Sequence, residues 1–216
     1  MTDATSDEKN FELGQPVLVC RWRLANRTLP LENRHLRALS QRRVNGAAVS
    51  TQLVAWAKQH IEWTLSEGAA TAPDGTLMLV VDDRGQAAMS VGPYEALDAT
   101  STDALTQRAL LASVEGEKTG VAPETLWAAL DGALICGLPE GSALSGASSL
   151  VADLARTLGL CLSHDEALAK RALDDHFDEV FLVSDEHGVV PAADAGGPVA
   201  KRFADGYARL LDAARR

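Results

Sequence analysis

The amino-acid sequence predicts an α+β protein with a small N-terminal domain and a larger C-terminal domain. Its first half predicts the order strand, strand, helix, helix, strand, strand, which is typical of α+β folds. The chain has 216 residues, 46% of them hydrophobic, enough for one sizeable core or two modest ones. Residues 92–101 contain Pro93 and several small polar side chains. We interpret them as a linker between domains of residues 11–91 and 102–216.

The N-terminal domain follows a polar, acidic segment, MTDATSDEKN, which predicts a disordered leader over residues 1–10. The segment PVLVCRWRL is apolar with a partial period of two, and Ala25-Asn26-Arg27 resembles a turn, so a hairpin is expected here. Apolar residues at helical spacing predict the two helices that follow. The predicted elements are strands over 16–24 and 28–31, helices beginning at 32 and over 50–66, and strands over 76–83 and 86–91.

The C-terminal domain contains a strong hairpin signal, because Asp131-Gly132 separates two short apolar segments. Gly159 supplies a helix stop, and Pro198 stands at a first helical position, where its missing N–H costs nothing. The stretch EGEKTG is interpreted as a loop. The predicted elements are a helix over 102–114, strands over 126–130 and 133–136, helices over 148–158 and 165–173, strands over 179–184 and 188–191, and a helix over 198–214.

The charge balance disfavours nucleic-acid binding. The chain has 30 acidic and 20 basic side chains, a net charge of −10, so a phosphate backbone would on average be repelled. One early stretch is locally basic, and it is interpreted either as an anion site or, more commonly for such runs, as a solvated surface. Its members are Arg21, Arg23, Arg27, Arg34, Arg37, Arg42 and Arg43.

The cysteines and histidines predict neither disulfides nor a metal site. Cys20, Cys136 and Cys161 are widely spaced among apolar neighbours and are expected to be small core residues. The histidines lack metal-ligand spacing. The N-terminus is unlike a secretory signal, and no apolar run is long enough to cross a bilayer. We therefore expect a soluble, cytoplasmic protein without a membrane partner.

The stretch GSALSGASSLVADLARTLGL, residues 141–160, is a small-residue turn that opens into an amphipathic helix. A helix N-terminus offers unpaired N–H groups and a partial positive charge, which together favour an anion such as a phosphate. Ser148 could add its hydroxyl to such a site. The alternative is that Ser148 only caps its own helix.

Three stretches of the second half, in order, resemble the class IV aminotransferases, the fold-type IV pyridoxal-phosphate (PLP) enzymes. They are TLWAALDGALICG, SALSGASSLVADLARTLGL, and DEVFLVSDEHGVVP followed by GGPVAKRFADGYARL. LENRHLRALS adds a fainter likeness in the first half, and together these matches cover most of residues 11–212. The group includes branched-chain aminotransferases and 4-amino-4-deoxychorismate lyase, and the chain resembles a shortened, diverged member.

The resemblance implies a large domain shaped as a pseudo-barrel with helices, a homodimer, and PLP held by its phosphate at the turn before the helix. By position, the phosphate-binding amides fall on Ala147 and Ser148. The family's phosphate-binding arginine falls on Ala38, with Arg37 one residue early, so Arg37 is the candidate cofactor contact on this helix.

The chain departs from the family's pattern at the positions that hold and use PLP. A transaminase needs a lysine for the Schiff base, and the chain has no lysine between Lys58 and Lys118, where the family's lysine is expected. The glutamate that pairs with the pyridine nitrogen falls on Gly120. A hydroxyl-bearing phosphate ligand falls on Asp185, with Glu186 beside it, and a carboxylate there repels a phosphate.

Three hypotheses follow. The first is a diverged family member that has lost PLP catalysis and binds no PLP, keeping a cleft for a small anionic, amino-acid or keto-acid ligand, or a dimer interface. The second is an active PLP enzyme in which Lys118 has become the Schiff-base lysine, with Glu115 or Glu117 serving the ring nitrogen. The third is a structural or interaction protein with no small-molecule site.

Overall fold

The computed structural model describes residues 12–215, so the predicted leader lies outside the described residues. The elements are β1 (Pro16–Arg23), α1 (Glu32–Ser40), β2 (Arg43–Val44), β3 (Ala47–Ala48), α2 (Thr51–Gly68), β4 (Thr76–Asp82), β5 (Ala87–Gly92), α3 (Thr102–Thr119), β6 (Glu124–Leu130), β7 (Ala133–Cys136), α4 (Gly146–Thr157), β8 (Leu162–His164), α5 (Leu168–Arg171), β9 (Glu179–Ser184), β10 (Gly188–Pro191) and α6 (Pro198–Ala214). The α+β class predicted from the sequence is confirmed.

A three-stranded antiparallel sheet of order β1-β4-β5 forms the first core with α1 and α2. Trp22 of β1 pairs with Leu77 of β4, and both are buried. The predicted hairpin between β1 and residues 28–31 is wrong. Those residues contribute only an isolated bridge, and Leu31 has a left-handed φ of 62° that leads into α1. The actual partner of β1 is more than fifty residues away, which no local turn signal reveals.

A five-stranded sheet of order β10-β9-β6-β7-β8 forms the centre of the second half. Its neighbours are antiparallel except β7 and β8, which run parallel. Helices α4 and α6 pack on one face, and α3 and α5 pack on the other. Because both faces are covered, β9 is buried along its whole length and β6 along nearly all of it.

Helix α3 is longer than predicted, since the stretch EGEKTG continues it to Thr119. A Cβ at Gly116 would lie only 3.0 Å from the backbone of Ala122, so the close approach of the helix to Ala122 favours glycine at this position. Gly120 then ends the helix with a φ of 85°. Lys118 therefore lies on a helix and not on a loop.

Smaller differences concern elements with weak local signals. The helix predicted over 165–173 shortens to the single turn of α5, and the short strands β2, β3 and β8 were not predicted. Cys20 and Cys136 are buried as expected, but Cys161 is exposed, so its assignment to the core was wrong. The domain boundary at 92–101 separates the two sheets along the chain and stays a prediction.

Candidate ligand cleft and the start of helix α4

The start of α4 is capped by Ser145, whose Oγ accepts a hydrogen bond from the amide of Ser148 at 3.2 Å. Ser148 is fully buried, and its own hydroxyl has no hydrogen-bond partner among the described residues. The alternative that Ser148 caps its own helix is therefore wrong, because Ser145 performs that role. The first amides of α4 remain to be satisfied by another acceptor.

The carboxylate of Asp185 accepts hydrogen bonds from these first amides. Its Oδ1 lies 2.7 Å from the amide nitrogen of Ala147, and its Oδ2 lies 3.3 Å from that of Gly146. Asp185 follows the last residue of β9 and is 5% exposed. A negative charge at a helix N-terminus interacts favourably with the partial positive charge of the free N–H groups. The anion position at the start of α4 is thus filled by the protein itself.

Asp185 also joins α4 to the first half of the chain. His35 of α1 places Nδ1 3.3 Å from Oδ2 of Asp185, as an electrostatic contact and not a hydrogen bond. The ring of His35 stacks on Trp22 at 5.4 Å. The backbone carbonyl of Asp185 accepts a hydrogen bond from the amide of Arg23 at 3.0 Å. A Cβ at Gly146 would lie 2.5 Å from His35 Nδ1, so this approach requires glycine there.

The pKa of Asp185 is lowered by these contacts. Burial alone would raise it, but the charge that His35 carries when protonated, the Ala147 amide and the more distant Arg42 outweigh burial. The folded state therefore holds this carboxylate ionised more strongly than the unfolded chain does.

This shift predicts an acid-dependent loss of stability. The unfolded chain binds more protons at Asp185 than the folded protein does, so stability rises with pH. The contribution is complete above the ordinary value of 3.8 and is lost as the pH falls through the lower folded pKa. In urea unfolding at several pH values, the free energy of unfolding of wild type should approach that of Asp185→Asn as the pH falls below the folded pKa of Asp185. The exposed Asp174→Asn serves as control, and a gap between wild type and Asp185→Asn that stays constant in acid would contradict the assignment.

A cleft of about 240 Å³ lies beside Asp185, between β1, α3 and the β9–β10 turn. Arg42 and the residues of β1 form one side, and α3 forms the other. Its lining is Val19, Cys20, Arg21, Trp22, Arg42, Arg108, Leu111, Ala112, Glu115, Pro123, Glu124, Ser184, Asp185 and Glu186. The cleft is therefore built from both halves of the chain and contains charges of both signs.

Several of these charges are already paired. Arg108 holds Glu124 with two hydrogen bonds, of 2.9 Å from Nε and 2.6 Å from a terminal nitrogen. Burial raises the pKa of Glu186, and the nearby charge of Arg21 opposes this rise. His187 next to it has a pKa lowered to about 4, by burial first and then by Arg108. Near neutral pH the imidazole of His187 is thus uncharged.

Within residues 12–215 no group of three histidine, cysteine, aspartate or glutamate residues could hold a metal ion. No helix in that part of the chain is long and apolar enough to cross a membrane.

Comparison with known proteins places the architecture. No family model and no curated protein matches the sequence. Among solved structures, 4-amino-4-deoxychorismate lyase from Pseudomonas aeruginosa is similar over 90% of this chain and 91% of its own, with a TM-score of 0.60 and 21% identity. The branched-chain amino acid aminotransferase from Escherichia coli is similar over 96% of this chain and 92% of its own, with a TM-score of 0.60 and 14% identity. A hypothetical aminotransferase from Mycobacterium tuberculosis, in its PLP-bound form, is similar over 91% of this chain and 88% of its own, with a TM-score of 0.59 and 16% identity. The chain has the fold of the fold-type IV PLP enzymes.

The residues predicted from the fold-type IV resemblance occupy different environments. Ala147 lies at the start of α4 as predicted, with its amide bonded to Asp185. Ser148 is buried beneath it. Arg37 is exposed and lines a groove of about 270 Å³, separate from the cleft beside Asp185, with Leu144 and Ser149 near the start of α4. Its role as a cofactor contact stays a prediction.

Lys118, the candidate Schiff-base lysine, is exposed in the last turn of α3. The described residues that line the cleft include no lysine. Glu115 does line the cleft, whereas Glu117 is exposed and lines another depression. The structure thus separates Lys118 from the cleft beside Asp185.

Sequence reasoning missed two residues of the site, His35 and Arg42. Arg42 stood out only as one member of the early arginine run, and His35 only as one of the histidines without metal-ligand spacing. That run forms no single anion site: Arg34 pairs with Asp153 of α4 at 2.9 Å, Arg37 is exposed, and Arg42 is buried at the cleft.

Proposed function

We propose that the protein is a class IV aminotransferase-like or aminodeoxychorismate lyase-like protein that has lost PLP catalysis and keeps its cleft for a small ligand. The observation that carries this proposal is the carboxylate of Asp185 on the amides of Gly146 and Ala147. By resemblance, the phosphate of PLP would bind the amides of Ala147 and Ser148. Asp185 accepts from the first of these, and Oγ of Ser145 accepts from the second. An internal carboxylate takes the place of the cofactor's phosphate.

Electrostatics disfavour exchange of the two anions. Two unit charges of the same sign about 4 Å apart repel by about 4 kcal/mol at an effective dielectric near 20, and a phosphate monoester carries nearly two charges. Displacing Asp185 would instead leave its buried carboxylate without the amides that now stabilise it. Either route opposes phosphate binding at the start of α4.

The residues present also do not fit the aldehyde of PLP. A Schiff base requires a lysine amine inside the cleft. All four lysines of the described residues, Lys58, Lys118, Lys170 and Lys201, are exposed, and none lines the cleft. The arrangement therefore supports a cofactor-free role, and we derive no reaction step through PLP.

The proposal is tested by adding PLP to the purified protein and recording the absorbance of an internal aldimine, followed by borohydride reduction and mass mapping. We expect no saturable band at equimolar PLP. Lys118→Ala tests the enzyme alternative, and Lys201→Ala is the matched control on another exposed helix face. A saturable band that disappears in Lys118→Ala alone would establish the PLP-enzyme alternative and overturn our proposal.

We further propose that the protein is a homodimer, as the resemblance implies. We also propose that it is cytoplasmic, because its free thiols suit a reducing compartment. Sedimentation velocity tests the dimer.

The remaining alternative is an interaction protein without a ligand. Thermal stabilisation by small carboxylates separates the two, because only a ligand-binding protein gains stability from a ligand that binds its folded state.

A further inference from the structure

Arg42 is a buried cation that forms no ion pair within 4.0 Å among the described residues, although its charge acts on Asp185 from a greater distance. It is 3% exposed and lines the cleft. One terminal nitrogen donates to the carbonyl of Val121 at 3.0 Å and to Oγ1 of Thr119 at 3.5 Å. Both acceptors are neutral, and the other N–H donors of the guanidinium have no protein acceptor in the described part of the chain. A buried charge is normally paired, so this arrangement points to a missing anion.

The carboxylates that share the cleft form no close ion pair with Arg42, and Asp185 acts on it only at longer range. Glu124 is held by Arg108, and Asp185 is held by the α4 amides and His35. Glu186 lies 4.0 Å from Arg21. Glu115 lies in the same cleft but makes no ion pair with Arg42 within the described residues, and it is partly exposed to water.

We propose, on the basis of the cofactor-free role above, that the cleft binds a small organic monoanion whose charged group accepts hydrogen bonds from Arg42. The apolar part of this ligand lies against Leu111 and Ala112 on the side of the cleft formed by α3. Leu111 is 73% exposed, and a ligand in the cleft would cover part of this apolar surface.

The surrounding charges restrict the ligand to one negative group. Glu115, Glu124, Asp185 and Glu186 all line the cleft, and a second anionic group on the ligand would approach at least one of them. Like charges about 4 Å apart repel by several kcal/mol in such surroundings, which excludes phosphate esters and dicarboxylates as tight ligands. A guanidinium matches a single carboxylate well, because its planar donors can bind both oxygens.

The test is calorimetric titration of the full chain with acetate, pyruvate and benzoate as monoanions, benzamide as the neutral counterpart of benzoate, and phthalate as the dianion. We expect saturable binding of at least one monoanion, and at least tenfold weaker binding of benzamide and phthalate when benzoate binds. Binding of none of the three monoanions up to their solubility limits, or equal binding of benzamide and benzoate, would overturn the proposal.

The variant Arg42→Gln should bind the monoanion at least tenfold more weakly than wild type. Arg21→Gln, which removes an exposed arginine from the same cleft, should change the affinity less than threefold. Equal losses in both variants would reduce the effect to general electrostatics and contradict the role of Arg42. Circular dichroism checks that Arg42→Gln folds. If it does not, Arg42→Lys keeps the charge but loses the planar donors, and unchanged affinity in it would refute the proposal. Because PLP absorbance is read separately, failure here is distinguishable from failure of the proposed function.

Discussion

Replacing Asp185 with alanine is expected to lower the free energy of unfolding by about 3 to 5 kcal/mol, the usual cost of removing one partner from a buried charged contact. The substitution leaves the amides of Gly146 and Ala147 without an acceptor and removes the negative charge beside His35. It also removes a contact between α1 and α4. Urea unfolding followed by circular dichroism measures this loss.

The same variant should be partly rescued by a small added anion. Formate or inorganic phosphate can enter the space left by the carboxylate and accept from the same amides. We expect either anion to raise the unfolding midpoint of Asp185→Ala more than that of wild type, with chloride at equal ionic strength as reference. Asp194→Ala is the matched control, since Asp194 also accepts an amide at a helix start, that of Thr102, but is exposed. An Asp185→Ala variant as stable as wild type and indifferent to anions would refute the internal-anion interpretation.

The two ends of β9 show how the chain satisfies helix termini from one strand. Glu179, its first residue, accepts from the amides of Val199 and Ala200 at 3.0 and 2.7 Å, near the start of α6. Asp185, just beyond its last residue, accepts from the start of α4. Both helices lie on the same face of the sheet. Internal carboxylates thus stabilise both helix N-termini that meet this strand.

Elements with local signals were predictable from the sequence. The strand Glu179–Ser184 and the helix Pro198–Ala214 match the structure at both ends, and the Asp131-Gly132 hairpin is confirmed. Each depends on a short apolar run, a turn pair or a proline at a helix start, which a short window contains. The partner of β1 was mispredicted because strand pairing across fifty residues is set by the packing of the whole core and not by the nearest turn.

The candidate site was predictable in its charge but not in its geometry. The sequence places a carboxylate, Asp185, where the resemblance expects a hydroxyl residue that binds the phosphate. The charge repulsion between a carboxylate and a phosphate was therefore predictable. That the side chain itself binds the α4 amides depends on the β9–β10 turn and on His35, which approaches from α1. Arg42 could not be distinguished from its neighbours, because burial of one arginine in a run is decided by the distant end of α3.

Helix α3 shows the same limit from another direction. Two glycines in EGEKTG favour a loop when only propensities are considered. In the folded chain the helix continues through Gly116, which packs closely against Ala122, and of these two glycines only Gly120 adopts a left-handed conformation. Because the helix includes EGEKTG, Lys118 lies in its exposed last turn and does not line the cleft. The hypothesis that Lys118 is a Schiff-base lysine therefore depends on the secondary structure of these six residues.

If Asp185 is the group that excludes a phosphate from α4, then Asp185→Ser should create the anion site that wild type lacks. Serine removes the fixed negative charge, and the amides of Gly146 and Ala147 become free to bind a ligand. Relief of one charge repulsion of about 4 kcal/mol exceeds the 2.7 kcal/mol that corresponds to a hundredfold change. We therefore expect pyridoxamine phosphate to bind this variant at least about 100-fold more tightly than wild type.

Pyridoxamine phosphate is the suitable probe because it has no aldehyde and cannot react with exposed lysines, and calorimetry at low temperature keeps a destabilised variant folded. Pyridoxamine without the phosphate should gain nothing, since the new site recognises the anion and not the ring. Asp194→Ser, which changes the exposed carboxylate near the start of α3, should bind neither compound. If Asp185→Ser bound pyridoxamine phosphate no better than wild type while remaining folded, the barrier to the cofactor would have to lie elsewhere in the cleft. The carboxylate at α4 would then be a structural cap only.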